Sequence, residues 1–168
     1  MRAIFLLLLL AGCEATLSPT GERNFRDPNA LIASKADFDL ARFQGDWYEV
    51  ARFPDGRACA NARVRYDQRS PTSAAITETC DGGDPATGQA DTTGLGRLSV
   101  KMQGQTSQHW ILWTDTGYRT AIIVRPDGTG GRILNRSPGL PLDRLRAALE
   151  VLDFNGFDRS ALMFVRPS

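Results

Sequence analysis

The chemically reactive side chains of this sequence are three cysteines and one histidine, His109. His109 lies in a stretch with a strand pattern, beside Trp110, without a recognisable serine or cysteine nucleophile motif. The chain has no G-x-S-x-G element, no paired metal ligands, no C-x-x-C pair and no phosphate-binding loop. The sequence therefore predicts no enzymatic activity, no catalytic residue, no metal site and no cofactor, and the cysteines carry the remaining chemistry.

The first of these, Cys13, follows an N-terminal signal. Met1 and Arg2 precede an apolar run from Ala3 to Ala11, which is too short to span a bilayer and is typical of a secretory signal. With Gly12 directly before Cys13, the segment resembles the lipobox of bacterial lipoproteins. That resemblance implies cleavage before the cysteine, a diacylglycerol on its thiol and an acylated amino terminus. The alternative is an ordinary secretory signal with an incidental cysteine.

Three regions follow from this reading. Residues 1–12 are the lipoprotein signal peptide, 13–36 a polar linker broken by Pro19, Gly21 and Pro28, and 37–168 one domain. Glu14 is not the aspartate that resembles an inner-membrane retention signal, so we expect attachment to the bacterial outer membrane, on its periplasmic side. The net charge of +1 and the mixed charges give no reason to expect nucleic acid as a partner.

The domain that must position these groups is predicted to be rich in β-strands. Apolar and polar residues alternate over 62–67 and again over 97–102, which is typical of strands with one wet face. Turn signals separate the segments, and even spacing of this kind favours a sandwich or a barrel. The predicted strands cover 45–53, 60–69, 73–80, 90–95, 97–102, 108–115, 118–126 and 130–137.

One amphipathic helix is predicted after the strands. Leu142, Leu145, Leu149 and Leu152 share one face, and Pro141 and Gly156 suit its beginning and end. A short ninth strand over 161–165 is expected to follow. The helix should pack on the outside of the β structure.

The two remaining cysteines test this arrangement. If 62–68 and 73–79 form a hairpin, paired positions sum to about 140, and Cys59 plus Cys80 gives 139. The two thiols would then lie nearly opposite each other, and a disulfide is predicted in an oxidising compartment. Two free buried thiols are the alternative.

Three motifs resemble those of the lipocalin family, over about residues 37 to 166. The run from Gly45 to Arg52, G-D-W-Y-E-V-A-R, is similar to the first-strand motif of the bacterial and apolipoprotein D branch, with Phe38 to Phe43 before it resembling the turn that closes the barrel floor. Thr114 to Tyr118 resembles the second motif, and Ile133 to Pro138 the third. The resemblance implies an all-β fold, an eight-stranded up-and-down antiparallel barrel with one C-terminal helix and a short last strand.

The resemblance also implies structural roles for the motif residues. Arg136 is expected to stack on Trp47 at the barrel floor in a cation–π contact, with Gly45 allowing close backbone approach. Asp115 and Tyr118 belong to the turn between two strands, where turn chemistry explains the aspartate. None of these residues is expected to bind a ligand.

Function is expected to reside in the barrel interior, which in this class is wide enough for one small ligand. The residues predicted to line it are Val64, Tyr66, Leu98, Val100 and Met102, for which simple core packing is an equal alternative. Glu49 lies on the Trp47 side of its strand and either faces the ligand or pairs with an arginine in the wall.

The sequence therefore predicts a lipid-anchored lipocalin that binds, and stores or transports, a hydrophobic molecule such as a fatty acid (palmitate, for example) or a lysophospholipid. A secreted β-barrel protease inhibitor acting through its N-terminal segment, and a structural lipoprotein with a filled barrel, are the alternatives. The oligomeric state is left open.

Overall fold

The computed structural model describes residues 23–56, 59 and 61–165, and its main feature is a closed antiparallel barrel. Consecutive strands pair with each other, and β1 pairs with both β2 and β8, which closes the sheet. The predicted eight-stranded up-and-down barrel is confirmed. Its strands are β1 (Gly45–Arg52), β2 (Arg63–Ser70), β3 (Ser73–Thr79), β4 (Ala86–Gly94), β5 (Arg97–Met102), β6 (Gln105–Thr114), β7 (Thr120–Val124) and β8 (Gly131–Asn135).

Three short elements and one longer helix complete the domain. A single turn, α1 (Leu40–Phe43), precedes β1, and the Asp39 carboxylate caps it by accepting hydrogen bonds from two backbone N–H groups. The predicted helix forms as α2 (Leu142–Phe154), followed by a 3-10 turn (Arg159–Ala161). The predicted ninth strand is short, β9 (Met163–Phe164), and pairs with β1.

Two strands begin earlier than their sequence pattern predicts. β4 begins at Ala86 because this residue pairs with Glu78 on β3. β6 begins at Gln105 because it pairs with Met102 across a tight turn. Neither added stretch shows a clean apolar alternation, so its side-chain pattern does not predict a strand. Backbone hydrogen bonds to the neighbouring strand extend the ladder there.

The strands beneath α2 are buried on both faces, and the structure assigns each face. Ala121 and Ile123 of β7 belong to the barrel interior, whereas Ile122 and Val124 belong to a second apolar cluster between the barrel and the helix. Ala148 and Leu152 of α2 are buried in that second cluster. Each layer therefore has its own core.

The start of α2 departs from the predicted apolar face. Leu145 and Leu149 pack partly against the outer cluster, but Leu142 is 77% exposed. Leu142 is the first residue of the helix. Although it shares a face with Leu145 and Leu149, it does not pack against the barrel. Gly156 follows the helix with φ +79°, a conformation that glycine adopts without strain.

The domain extends further towards the N-terminus than residue 37. Phe25 is buried and stacks on Phe53 with 5.1 Å between ring centroids. The backbone of this segment is held by the barrel and by α2, with Lys35 N donating to Ile111 O at 2.7 Å and Asp27 N to Gly156 O at 2.9 Å. Residues 23–36, which composition alone places in the linker, thus lie on the domain because one aromatic anchor and backbone hydrogen bonds to distant parts of the chain fix them.

The predicted disulfide is confirmed. Cys59 and Cys80 are bonded, with their Cα atoms 5.2 Å apart. The β2–β3 pairs Val64–Glu78 and Tyr66–Ile76 give the register of the hairpin. The bridge therefore lies just beyond the ladder, at the open end of the barrel. Among the described residues, no helix is long and apolar enough to cross a membrane.

Candidate ligand cavity

The barrel interior is divided into a packed closed end and a cavity at the open end. Phe43, Trp47 and Tyr66 fill the closed end, with Phe43 stacked on Trp47 at 4.7 Å and edge-on to Tyr66 at 4.9 Å. Val64 and Leu98 are fully buried in the same cluster. A molecule entering the barrel therefore meets closely packed side chains before it reaches the floor.

A network around Arg136 holds the closed end together. The guanidinium lies 3.7 Å from the centre of the Trp47 ring and donates to the backbone carbonyls of Asp46 at 2.8 Å and Phe43 at 3.2 Å. The Trp47 indole N–H also donates to the Phe43 carbonyl, at 2.8 Å. Gly45 has φ +95°, and a Cβ there would lie 3.3 Å from the Arg136 guanidinium. The stacked arrangement implied by the sequence motifs is present.

The turn between β6 and β7 supports this floor. The Asp115 carboxylate accepts hydrogen bonds from the backbone N–H groups of Arg119 at 2.6 Å and Thr120 at 2.8 Å. Burial acts to raise the pKa of Asp115, but these hydrogen bonds and the Arg119 side chain outweigh it and hold the pKa below its usual value. Tyr118 accepts a hydrogen bond from Asp39 N at 2.8 Å, which ties the turn to α1. Both motif residues are thus structural.

The open end contains a cavity of about 810 Å³. Residues from the ends of β3 to β8 and from loops at the open end line it. Val100, Met102 and Ile123 form its apolar wall. The polar wall consists of Ser107, His109, Glu78 and Arg132, and three loop residues complete the lining: Asp55, Arg125 and Asp127. This volume lies within the usual range for small-molecule sites.

The residues predicted to line the interior fall on two levels. Val100 and Met102 line the cavity, whereas Val64, Tyr66 and Leu98 lie in the packed core. Alternation along a strand identifies which residues point inward, and all five do. Alternation does not show how far each residue lies from the open end of the barrel. That distance depends on the stagger between neighbouring strands and on how far the floor residues extend into the interior.

The sequence left two roles open for Glu49, facing the ligand or pairing with an arginine in the wall, and the structure shows the pairing. Its carboxylate is buried and lies 3.2 Å from Arg52 and 3.5 Å from Arg132. It therefore pairs with arginines in the wall.

A buried ion cluster borders the cavity. Arg132 Nη1 lies 2.9 Å from the Glu78 carboxylate, and the two side chains are only 8% and 9% exposed. Burial acts to lower the pKa of Arg132, but the carboxylates of Glu78 and Glu49 raise it above its usual value, so the guanidinium stays charged. Burial raises the pKa of the neighbouring Tyr66 phenol, which therefore stays protonated.

Sequence analysis missed Arg132, Glu78 and Ser107 as cavity residues. Arg132 and Glu78 carried a usable signal, since each interrupts the inward apolar set of its own strand. Arg132 lies two positions before the inward-facing Leu134, and Glu78 follows Ala74 and Ile76 on the same face of its strand. A charge at an inward position of a barrel strand indicates a polar site or a buried pair. Ser107 had no comparable signal, because its strand begins in a polar stretch.

The arrangement around the disulfide includes a further carboxylate. In the part of the chain that the structure describes, the group closest to a metal-ligand set is Cys59, Glu78 and Cys80. The two sulfurs are bonded to each other, so they are not available as thiolate ligands. The disulfide therefore leaves the Glu78 carboxylate as the single ligand of this group that a metal ion could use.

Comparisons with known proteins agree with this architecture. A family model described as a lipocalin-like domain matches residues 38–167. A protein of Acanthamoeba polyphaga mimivirus named as a lipocalin is 31% identical over 52 residues, a match that spans 30% of this chain and 31% of the viral protein.

Solved structures give the same result for the fold. Lobster apocrustacyanin A1 superposes with a TM-score of 0.67 at 19% identity, over 87% of this chain and 93% of that one. Apocrustacyanin C1 gives 0.67 at 18% identity, over 86% and 92%. Identities this low support the fold alone. The family model covers most of the sequence and shows that this chain belongs to the lipocalin-like family.

Proposed function

We propose that this protein is a lipid-anchored carrier that holds one small, mainly hydrophobic molecule in the open-end cavity, at the periplasmic face of a bacterial outer membrane. The ligand class is an acyl-chain lipid, for which a fatty acid and a lysophospholipid are the first candidates. The observation that carries the proposal is the 810 Å³ cavity with Val100, Met102 and Ile123 along one wall. Members of the family are generally ligand-binding carriers rather than enzymes.

The driving force for binding would be burial of hydrocarbon. Each methylene moved from water to an apolar wall contributes about 0.8 kcal/mol. Because the closed end is packed, the gain must stop once the cavity is full. The proposal therefore predicts an affinity that rises with chain length and then levels off.

The position of the N-terminal segment supports a role near a membrane. Phe25 N donates to Gly128 O at 2.8 Å, and the Asn24 side chain donates to Asp127 O at 3.1 Å. Asp127 also lines the cavity. The ten steps from Cys13 to Arg23 reach at most about 35 Å. An acylated Cys13, which lies outside the described residues, would keep the open end of the barrel within that distance of its lipid source.

The binding proposal is tested by isothermal titration of the delipidated protein with saturated fatty acids of increasing length. We expect one site per chain and tighter binding with each added methylene until a plateau. Met102→Asp should weaken binding because it places a carboxylate against hydrocarbon. Lys101→Asp is the matched control, since Lys101 directly precedes Met102 on the same strand and is exposed. A flat response across the series would favour a barrel without a ligand.

The anchor is tested separately by metabolic labelling with a fatty acid. Wild-type protein should incorporate label and sediment with membranes, whereas Cys13→Ser should do neither. Equal labelling of the two proteins would contradict lipidation at Cys13 without bearing on the cavity.

A further inference from the structure

The polar wall of the cavity indicates which end of the ligand lies deeper in the barrel. The Glu78–Arg132 pair is almost completely buried and borders the cavity, and below it lie the packed residues of the closed end. A hydrocarbon chain pushed to this depth would cover two ionised groups without offering them a hydrogen bond, which is unfavourable. A polar group at the same depth would hydrogen bond to them.

The charges of the wall determine which polar group fits. Arg132 already faces two carboxylates, Glu78 at 2.9 Å and Glu49 at 3.5 Å. A ligand carboxylate would compete with Glu78 and Glu49 for Arg132, and a ligand ammonium group would compete with Arg132 for these two carboxylates.

Further hydrogen-bonding groups are present at the same level. Ser107 Oγ and His109 Nε2 are 3.1 Å apart, and both residues line the cavity on β6. A serine hydroxyl can keep this contact and still bond a ligand oxygen, because it has one donor and two acceptor sites. The wall therefore suits an uncharged donor or acceptor.

We propose that the ligand enters the barrel polar end first and that this end is uncharged, with the hydrocarbon lying against Val100, Met102 and Ile123 towards the opening. This inference rests on the proposed function and narrows its ligand class. It selects acyl- or alkyl-chain molecules that end in a hydroxyl, carbonyl or amide group, or a fatty acid bound in its protonated form.

The test compares four molecules of one chain length by isothermal titration at neutral pH, each below its aggregation concentration. The probes are dodecan-1-ol, dodecanoate, dodecylamine and dodecane, and the protein is the delipidated wild type. We expect the alcohol to bind at least tenfold more tightly than each of the other three. Binding of the acid or the amine as tightly as the alcohol, or of the alcohol no more tightly than dodecane, would overturn the inference.

Two variants and one control show which residues determine the preference for the alcohol. Glu78→Gln removes one carboxylate beside Arg132 and should narrow the alcohol-to-acid ratio several-fold, whereas Asp91→Asn, on the exposed face of β4, should leave it unchanged. Ser107→Ala avoids the ion pair altogether and should weaken the alcohol with little effect on dodecane. An unchanged alcohol affinity in Ser107→Ala, together with an unchanged ratio in folded Glu78→Gln, would contradict the assignment. Failure of all four probes to bind would instead count against the proposed function itself.

Discussion

Replacement of Trp47 by alanine should destabilise the protein strongly and leave ligand binding intact. The indole is completely buried at the closed end, between the Phe43 ring at 4.7 Å and the Arg136 guanidinium at 3.7 Å. The cavity residues Val100 and Met102 lie towards the opposite end of the barrel. Stability and binding are thus assigned to separate ends, and this variant distinguishes them.

The magnitude follows from what the indole contributes. Truncating a buried aromatic residue to alanine costs about 3–5 kcal/mol in lost burial and a residual cavity. Loss of the cation–π contact adds about 1 kcal/mol. The Phe43 carbonyl loses the indole donor but keeps a hydrogen bond from Arg136 at 3.2 Å, so no further penalty for an unpaired acceptor is expected. We expect a loss of about 4–6 kcal/mol, which corresponds to a fall in Tm of about 8–24 °C.

Urea denaturation followed by circular dichroism measures this loss. Trp110→Ala is the matched control, because Trp110 is half-buried on the outside of the barrel with Arg97 over its ring at 4.1 Å. The control should lose about 2 kcal/mol or less, since its ring is only partly removed from water. If Trp47→Ala kept wild-type stability and lost ligand binding, the division of the barrel into a structural end and a binding end would be refuted.

Three further predictions concern stability. Removing the disulfide by Cys59→Ser with Cys80→Ser should cost about 3 kcal/mol in urea denaturation, as expected for a loop of sequence separation 21; an equal stability would contradict the chain-entropy argument. The lowered pKa of Asp115 means that its contribution is complete above about pH 4 and is lost as the pH falls through the folded-state value, so the stability deficit of Asp115→Asn should shrink below that pH. A deficit independent of pH would refute this. Phe25→Ala should lose about 3 kcal/mol, because the ring is buried against Phe53, whereas a change within 0.5 kcal/mol would indicate that residues 23–36 do not stabilise the barrel.

The parts of the fold that were predictable from sequence are those with local signals. The alternation over 62–67 and 97–102, the helix with Leu145 and Leu149, and the disulfide each follow from a periodicity or a spacing. The floor contact between Trp47 and Arg136 was implied by motif resemblance, since these residues are far apart along the chain and no local pattern pairs them.

The parts that sequence missed depend on long-range geometry. Val64 and Val100 both point inward, but Val64 is enclosed in the packed core whereas Val100 lines the cavity. Likewise, the contact of Glu49 with Arg132 becomes evident only when β1 and β8 are paired, because the two residues are 83 positions apart along the chain. Which residues share a cavity is a property of the closed sheet and cannot be obtained from any single strand.

The site itself is tested most directly by photolabelling. Delipidated protein would be irradiated with a twelve-carbon alcohol carrying a diazirine at mid-chain, and the modified peptides would be mapped by mass spectrometry. We predict one label per chain within 97–109 and 120–132, around Val100, Met102 and Ile123, removed by excess unlabelled dodecan-1-ol and reduced in Met102→Asp but not in Lys101→Asp. Labelling spread over the outer face, or labelling that excess alcohol does not remove, would contradict a binding site inside the open end of the barrel.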